Sequence, residues 1–329
     1  MIISKTPYRV SFFGGGTDYP NWYKNSKSGG KTICCAIDKF SYVVLKKLPN
    51  VFNYNYRIRY FHREEVNKIN HIKHPTIRNL YKYFDIKEKL DLVHFSDLPA
   101  ASGIGSSSAF TTGLINAINK MYNLNFSKNE IFNLAVDIEQ NYNKENIGSQ
   151  DQVISTVGGF KTINFTKDKI LISNMEKYKK NLSKIQNNSI LIYSGIQRES
   201  SSVTKELVSQ IKHKTDIYEN LFDTAVEAEK MLKSNKFNIK EFGELLNYSW
   251  KLKKKTSNNI TNSSIDSLCK ACIKNGAYGV KLLGAGNGGF VLALANETSL
   301  KRIKKYMKKY YMFPLKLSLS GTQIIYENK

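Results

Sequence analysis

The sequence predicts a two-domain α+β fold in which an α/β half precedes an α+β half. Three observations carry this reading. A chain of 329 residues can bury a substantial core, and its size favours two domains over one. The first half sets strand-like apolar runs before a glycine/serine turn and amphipathic helices. The second half reads as helices, then a glycine hairpin and closing strands. The change of pattern places the boundary near residue 186, giving domains 1–185 and 186–329.

In chain order, Tyr8 to Phe13, Tyr42 to Leu45 and Leu90 to Phe95 read as strands. A helix then carries Phe110, Leu114, Ala117, Ile118 and Met121 on one face, and a second is striped by Ile131, Leu134, Ala135 and Ile138. Beyond the boundary come a strand from Ile190 to Tyr193 and a helix striped by Leu221, Ala225, Ala228 and Leu232. Another helix carries Phe242, Leu245 and Leu246, and closing strands are expected at Pro314 to Ser318 and Thr322 to Tyr326. Cys269 and Cys272 share an apolar helical stripe with Ile265 and Leu268, so the C-x-x-C spacing reads as core packing and no metal or redox centre.

The formal charge of +23 invites a nucleic-acid partner. Lysine is spread along the whole chain, however, as in Lys251-Leu252-Lys253-Lys254-Lys255 and Lys301-Arg302-Ile303-Lys304-Lys305, with no single basic block. The charge therefore suits small anionic substrates. Aromatic and basic residues interleave from Asn53 to Arg63, but no nucleic-acid-binding signature accompanies them, and a lid strand or a solvated sheet face is the better reading. The N-terminus lacks the pattern of a signal peptide and no run of apolar residues is long enough for a membrane span, which leads to the expectation of a cytoplasmic protein without membrane or nucleic-acid partners.

The segment Leu98-Pro99-Ala100-Ala101-Ser102-Gly103-Ile104-Gly105-Ser106-Ser107-Ser108-Ala109 is the most informative. Glycines let the backbone turn tightly, a helix start presents unpaired N–H groups, and three serines offer hydroxyls to phosphate oxygens or a cation. Capping needs only one serine. A cradle for a polyphosphate is the reading that uses all three. Two other glycine motifs fail on context. Gly30-Lys31-Thr32 has Asn25 where a Walker A loop needs glycine, and Gly284-Ala285-Gly286-Asn287-Gly288-Gly289 runs into the strand-like Phe290 to Leu294 where a Rossmann site needs a helix.

Pro7 to Asp18, Pro99 to Ala109 and Gly284 to Phe290 together resemble the GHMP kinase superfamily in order and spacing. The resemblance implies an N-terminal α/β domain, a ferredoxin-like C-terminal domain, and ATP with magnesium bound beside the acceptor in the cleft between them. Within the superfamily, Tyr8 to Pro20 is most similar to the branch that phosphorylates heptose 7-phosphate at C1, with fucokinase-type enzymes and other small-molecule GHMP kinases as alternatives. Galactokinases carry Gly-Glu-His where this chain has Gly14-Gly15-Gly16, which opens the acceptor wall to a longer or phosphorylated sugar.

Carried over residue by residue, the resemblance implies that Arg9 and Asp151 are catalytic. Pro99, Ser102, Gly103, Gly105, Ser106, Ser107, Ser108 and Ala109 would hold the nucleotide. Gly15, Gly16, Thr17, Asp18, Tyr19, Arg198, Gly286 and Gly288 would meet the substrate, Arg198 through a phosphate. Glu139 and a serine hydroxyl, Ser107 by alignment with Ser106 or Ser108 as alternatives, would hold the metal ion. Ser149 and Gln152 have capping-box spacing, which puts Asp151 in a first helical turn that stabilises its negative charge and suits it to orienting a hydroxyl more than to abstracting a proton. Sequence leaves monomer and homodimer equally open.

Overall fold

The computed structural model describes residues 1–197 and 200–328, except the side chains of residues 200–203. The strands are β1 Ile2–Phe13, β2 Gly30–Lys47, β3 Tyr56–Arg59, β4 Arg63–Val66, β5 Leu90–Ser96, β6 Phe160–Phe165, β7 Ile170–Asn174, β8 Ser189–Tyr193, β9 Gly279–Leu282, β10 Phe290–Leu294, β11 Met312–Pro314 and β12 Gln323–Glu327. The α-helices are α1 Pro20–Tyr23, α2 Pro75–Tyr83, α3 Ser106–Met121, α4 Lys128–Asp137, α5 Gln150–Val157, α6 Lys179–Asn187, α7 Ser200–Gln210, α8 Thr215–Lys233, α9 Ile239–Lys254, α10 Ser263–Lys274 and α11 Glu297–Tyr306.

The first sheet runs β12-β1-β2-β5-β3-β4, with β6 and β7 attached to the other end of β2. The 18-residue β2 makes this possible, because residues 41–47 pair with β5 while residues 30–35 pair with β6. The second sheet is antiparallel in the order β11-β8-β10-β9. Numbered within its own half that is 4-1-3-2 with helices between the first and second and the third and fourth strands, the ferredoxin-like arrangement. The chain passes from one sheet to the other between Asn174 and Ser189, and we propose that the domains divide there, with the exception that β12 returns to pair with β1.

The strand expected from Pro314 to Ser318 is corrected: β11 ends at Pro314. The following backbone is drawn to β2 instead, where Lys316 O accepts from Asp38 N and Ser318 N donates to Ala36 O. Where the halves meet, apolar side chains interlock. Phe12 and Phe13 of β1 both meet Phe242 of α9, at 6.2 Å and, edge-on, at 5.0 Å. Lys281 of β9 reaches the same seam, donating from Nζ to Ser11 O at 2.9 Å and Phe12 O at 2.6 Å. The end of β1 is therefore held by both halves of the molecule.

Candidate active site

A cleft of about 610 Å³ lies along this seam. Its floor begins with the loop between β5 and α3. Gly103 and Gly105 both have left-handed φ angles, +77° and +76°, and Gly105 stands at the N-cap of α3 without any side-chain cap. Ser106 Oγ instead accepts from Ala101 N at 3.3 Å, which braces the loop. The first-turn amides of α3 are left for an incoming anion.

Gly103, Gly105, Ser106, Ser107 and Ser108 line the cleft, whereas Pro99, Ser102 and Ala109 support it from behind. Ser102 donates to Pro99 O at 2.6 Å and its carbonyl accepts from Phe290 N at 3.0 Å. Gly284 is pressed on the same loop: with φ +74°, a β-carbon there would come within 2.6 Å of Gly103 Cα. Gly284→Ala is expected to cost about 1–3 kcal/mol of stability through backbone strain and to displace the loop; urea unfolding with a nucleotide-binding assay checks it.

Arg9 is 5% exposed. Its Nε donates to Asp151 Oδ1 at 2.7 Å, Nη2 to Asp151 Oδ2 at 2.6 Å, and Nη1 to Gly103 O at 2.6 Å. One planar fork thus fastens the first turn of α5 to the phosphate loop, a geometry only arginine supplies. Asp151 does occupy that first turn, but the expected capping box is absent: Ser149 makes no side-chain cap. Ser149 Oγ accepts from Gln140 Nε2, and Gln152 Nε2 turns away to Glu139. Burial outbids the local cap because Gln152 and Glu139 are both sealed from solvent.

Asp18 is buried, with Oδ1 accepting from Gly16 N at 2.9 Å and Oδ2 from Gln150 N at 3.4 Å. Burial pushes its pKa up, the charge of Asp151 adds to this, and the backbone donors oppose it. Gly16, Asp18 and Tyr19 line the cleft. Thr17 does not: its hydroxyl contacts Gly14 O and Lys31 O and accepts from Lys31 N, so it fastens the turn.

Glu139 lies behind the loop, fully buried in a single π-turn, Ile138–Tyr142, that continues α4. Burial raises its pKa to about 8, nearby Glu145 adds to the rise, and hydroxyl and amide donors work against it. Those donors are Thr111 Oγ1 at 2.6 Å, Ser108 Oγ at 2.8 Å and Gln152. The structure brings Ser108 to Glu139, whereas Ser107 is exposed. Ser108 and Thr111 both face the π-turn that carries Glu139, and Ser107 faces outward.

Gly286 and Gly288 are set away from the cleft wall, which Gly284 and Ala285 supply. A β-carbon on Gly286 would meet Ile260 backbone at 2.5 Å, and one on Gly288 would meet Ile196 O at 2.9 Å, so both glycines serve packing. Arg198 lies outside the described residues.

Sequence reasoning missed Lys253, Lys281 and Gln150, all of which line the cleft. Lys281 is fully buried, which pushes its pKa well below the ordinary lysine value, with Lys253 and Arg9 adding to the effect. A lone lysine inside the apolar run Gly279–Leu282 was the available signal. At the other end of the cleft stand Tyr60, Phe61, His74, His94 and Phe110. Tyr60 and Phe61 belong to the aromatic–basic segment, whose Arg57 and Arg59 are paired with buried Asp91 at 2.6 and 2.9 Å and so form no open basic ribbon. Among the described residues, no group of three or more His, Cys, Asp or Glu side chains could hold a metal ion, and no helix is long and apolar enough to cross a membrane.

An uncapped helix start, an arginine–aspartate pair and a second buried aspartate converge in one cleft, an arrangement that suits phosphoryl transfer to a small molecule. Residues 70–159 match the GHMP kinases N terminal domain and residues 229–311 the GHMP kinases C terminal domain, together just over half of the sequence. The chain belongs to the GHMP kinases. It is 28% identical over 327 residues to the D-glycero-alpha-D-manno-heptose 7-phosphate kinase of Campylobacter jejuni, covering 94% of this chain and 93% of that one. It is 23% identical to the galactokinase of Pyrococcus furiosus, covering 94% of each. The crystal structure of a D-glycero-D-manno-heptose 1-phosphate kinase from Bacteroides thetaiotaomicron shares the fold over the whole of both chains, with a TM-score of 0.79 at 18% identity.

Proposed function

We propose that this protein transfers the terminal phosphoryl group of ATP to the anomeric C1 hydroxyl of a sugar, with D-glycero-D-manno-heptose 7-phosphate as the acceptor, for nucleotide-activated heptose synthesis. The observation that carries the kinase half is the uncapped start of α3 beside Arg9 and Asp151. The acceptor half rests on the similarity to the Campylobacter enzyme along nearly the whole chain and on the bare Gly14–Gly16 turn.

Phosphoryl transfer needs alignment and charge neutralisation more than covalent chemistry. The polyphosphate lies on the amides and hydroxyls of residues 103–108, with the nucleobase toward Tyr60 and Phe61. Asp151 accepts a hydrogen bond from the attacking hydroxyl and aims it, while Asp18 grips a second hydroxyl. Arg9 stabilises negative charge on the moving group. Its hold on Gly103 O and Asp151 keeps donor and acceptor in register. The oxygen-only set of Ser108 and Glu139 suits magnesium in kind, and the cation would supply charge neutralisation at the terminal phosphates.

The test is an ATP-consumption screen over free and phosphorylated sugars with mass detection of the product. We expect heptose 7-phosphate to give the highest kcat/KM and a bisphosphate product. A preference for galactose or fucose would overturn the acceptor assignment.

A further inference from the structure

The Gly14–Gly16 turn leaves a gap that polar side chains surround. A β-carbon on Gly15 would lie 3.4 Å from Ser11 Oγ, 3.7 Å from Gln150 Nε2 and 3.7 Å from Lys253 Nζ. All three residues line the cleft and are buried, at 5%, 7% and 7% exposure. Ser11 Oγ and Gln150 Oε1 have no hydrogen-bond partner within the protein. Buried polar atoms are almost always paired, so the orphaned Ser11 hydroxyl at this gap, with the orphaned oxygen of the Gln150 amide whose nitrogen borders it, points to a partner that arrives from outside.

The donor inventory limits what that partner is. A serine hydroxyl both donates and accepts, the orphaned amide oxygen of Gln150 only accepts, and an ammonium only donates. A ligand that satisfies them must offer a donor as well as acceptors. Two neighbouring hydroxyls offer a donor and acceptors together and so answer every group. Asp18 borders the same gap through Gly16 N and Gln150 N. Lys253 is steadied by donating to Gly284 O at 2.6 Å, which fixes its ammonium at the mouth of the gap.

We propose that Ser11, Gln150 and Lys253 form a diol-reading pocket over Gly15, which selects an acceptor with two adjacent non-reacting hydroxyls. The proposal rests on the sugar-kinase reading above and names the residues that enforce it. Gly15 is the sterically open point. Its φ is not in the left-handed region, and an added methyl meets its neighbours at ordinary contact distances of 3.4 Å or more. Gly15→Ala therefore keeps the fold while filling the gap.

Steady-state kinetics of wild type, Gly15→Ala and Ser11→Ala against the best sugar acceptor and its deoxy analogue test this. Gly15→Ala is expected to raise the sugar KM about tenfold or more, with the ATP KM unchanged. Ser11→Ala removes a hydroxyl that has no partner in the protein, so its thermal midpoint stays level or rises. Its sugar KM rises about three- to tenfold, and the deoxy analogue, which has already lost that contact, shows no further penalty. Wild-type sugar KM values in both variants would overturn the pocket while leaving the sugar-kinase reading intact. A wild-type enzyme that phosphorylates a hydroxy acid and no sugar would sink both.

Discussion

Asp151→Asn is expected to lower kcat by about 100-fold or more, because misalignment of reactants by an ångström costs that much. The expectation follows from the two oxygens of Asp151, which receive Nε and Nη2 of Arg9 at 2.7 and 2.6 Å. An amide keeps one acceptor but turns an NH2 group against the Nη2 donor. The Arg9 fork must then swing, and with it the loop it holds through Gly103 O. The Arg9 side chain is 6% exposed and that of Asp151 21%. Breaking such a buried pair costs on the order of 3 kcal/mol of stability, so turnover must be normalised to folded enzyme from a thermal melt at the assay temperature. A kcat within a few-fold of wild type would remove Asp151 from the reaction and leave it a structural partner of Arg9. The ATP KM should rise as well, since the loop whose amides hold the phosphates moves with the fork.

Stability is expected to fall steeply as pH drops from about 6.5 to 4, through His74 and His94. Burial pushes both imidazoles down to about 4. At His74 the charge of Glu64 opposes the shift and that of Arg78 adds to it. At His94 the neighbouring His74 adds to it. Their rings pack on Phe110 at 5.0 and 4.7 Å, and His94 Nε2 shares a hydrogen bond with Ser41 Oγ at 2.9 Å. Because the folded pKa values are depressed, the folded state binds fewer protons than the unfolded chain in this window. The stabilisation is complete above the unfolded value and is lost as pH falls through the folded one, on the order of 3 kcal/mol per histidine. Chemical denaturation at pH 7, 5.5 and 4.5 checks it. A His74→Leu/His94→Leu double variant should be less stable at neutral pH yet lose that part of the slope, and an unchanged slope would refute the assignment.

Much of the cleft was legible before the fold was known. The phosphate loop announces itself because backbone turning, helix initiation and hydroxyl supply all fall within residues 99–109, and each leaves a mark on residue choice. Helices after it were legible for the same local reason: the stripe Leu221, Ala225, Ala228 and Leu232 states which face of α8 is buried, although α3 turned out buried on every side from Ser108 to Ile118. What escaped was set by long-range contact. The choice of Ser108 over Ser107 depends on where the helix meets the π-turn carrying Glu139. Gln152 serves a buried carboxylate in preference to its own helix cap, and capping statistics carry no knowledge of that carboxylate. Lys281 looks like a misplaced charge until β1 supplies two carbonyls for it. Gly286 and Gly288 are glycines for the sake of Ile260 and Ile196, partners distant in sequence.

The pairing of β12 with β1 also bears on how the molecule is made. The strand that carries Arg9 is made long before its outer neighbour, Gln323–Glu327. Until that neighbour is made, the nascent sheet presents a bare lateral flank along residues 2–5, open to wrong partners. Thr322 then latches the seam from within, its hydroxyl meeting Thr6 Oγ1 at 2.8 Å and accepting from Asn116 Nδ2 at 3.2 Å. Completion of the flank that bears Arg9 thus awaits residues 322–327, and ribosome-stalled chains shortened before residue 322 should be richer in aggregates than chains that include this strand.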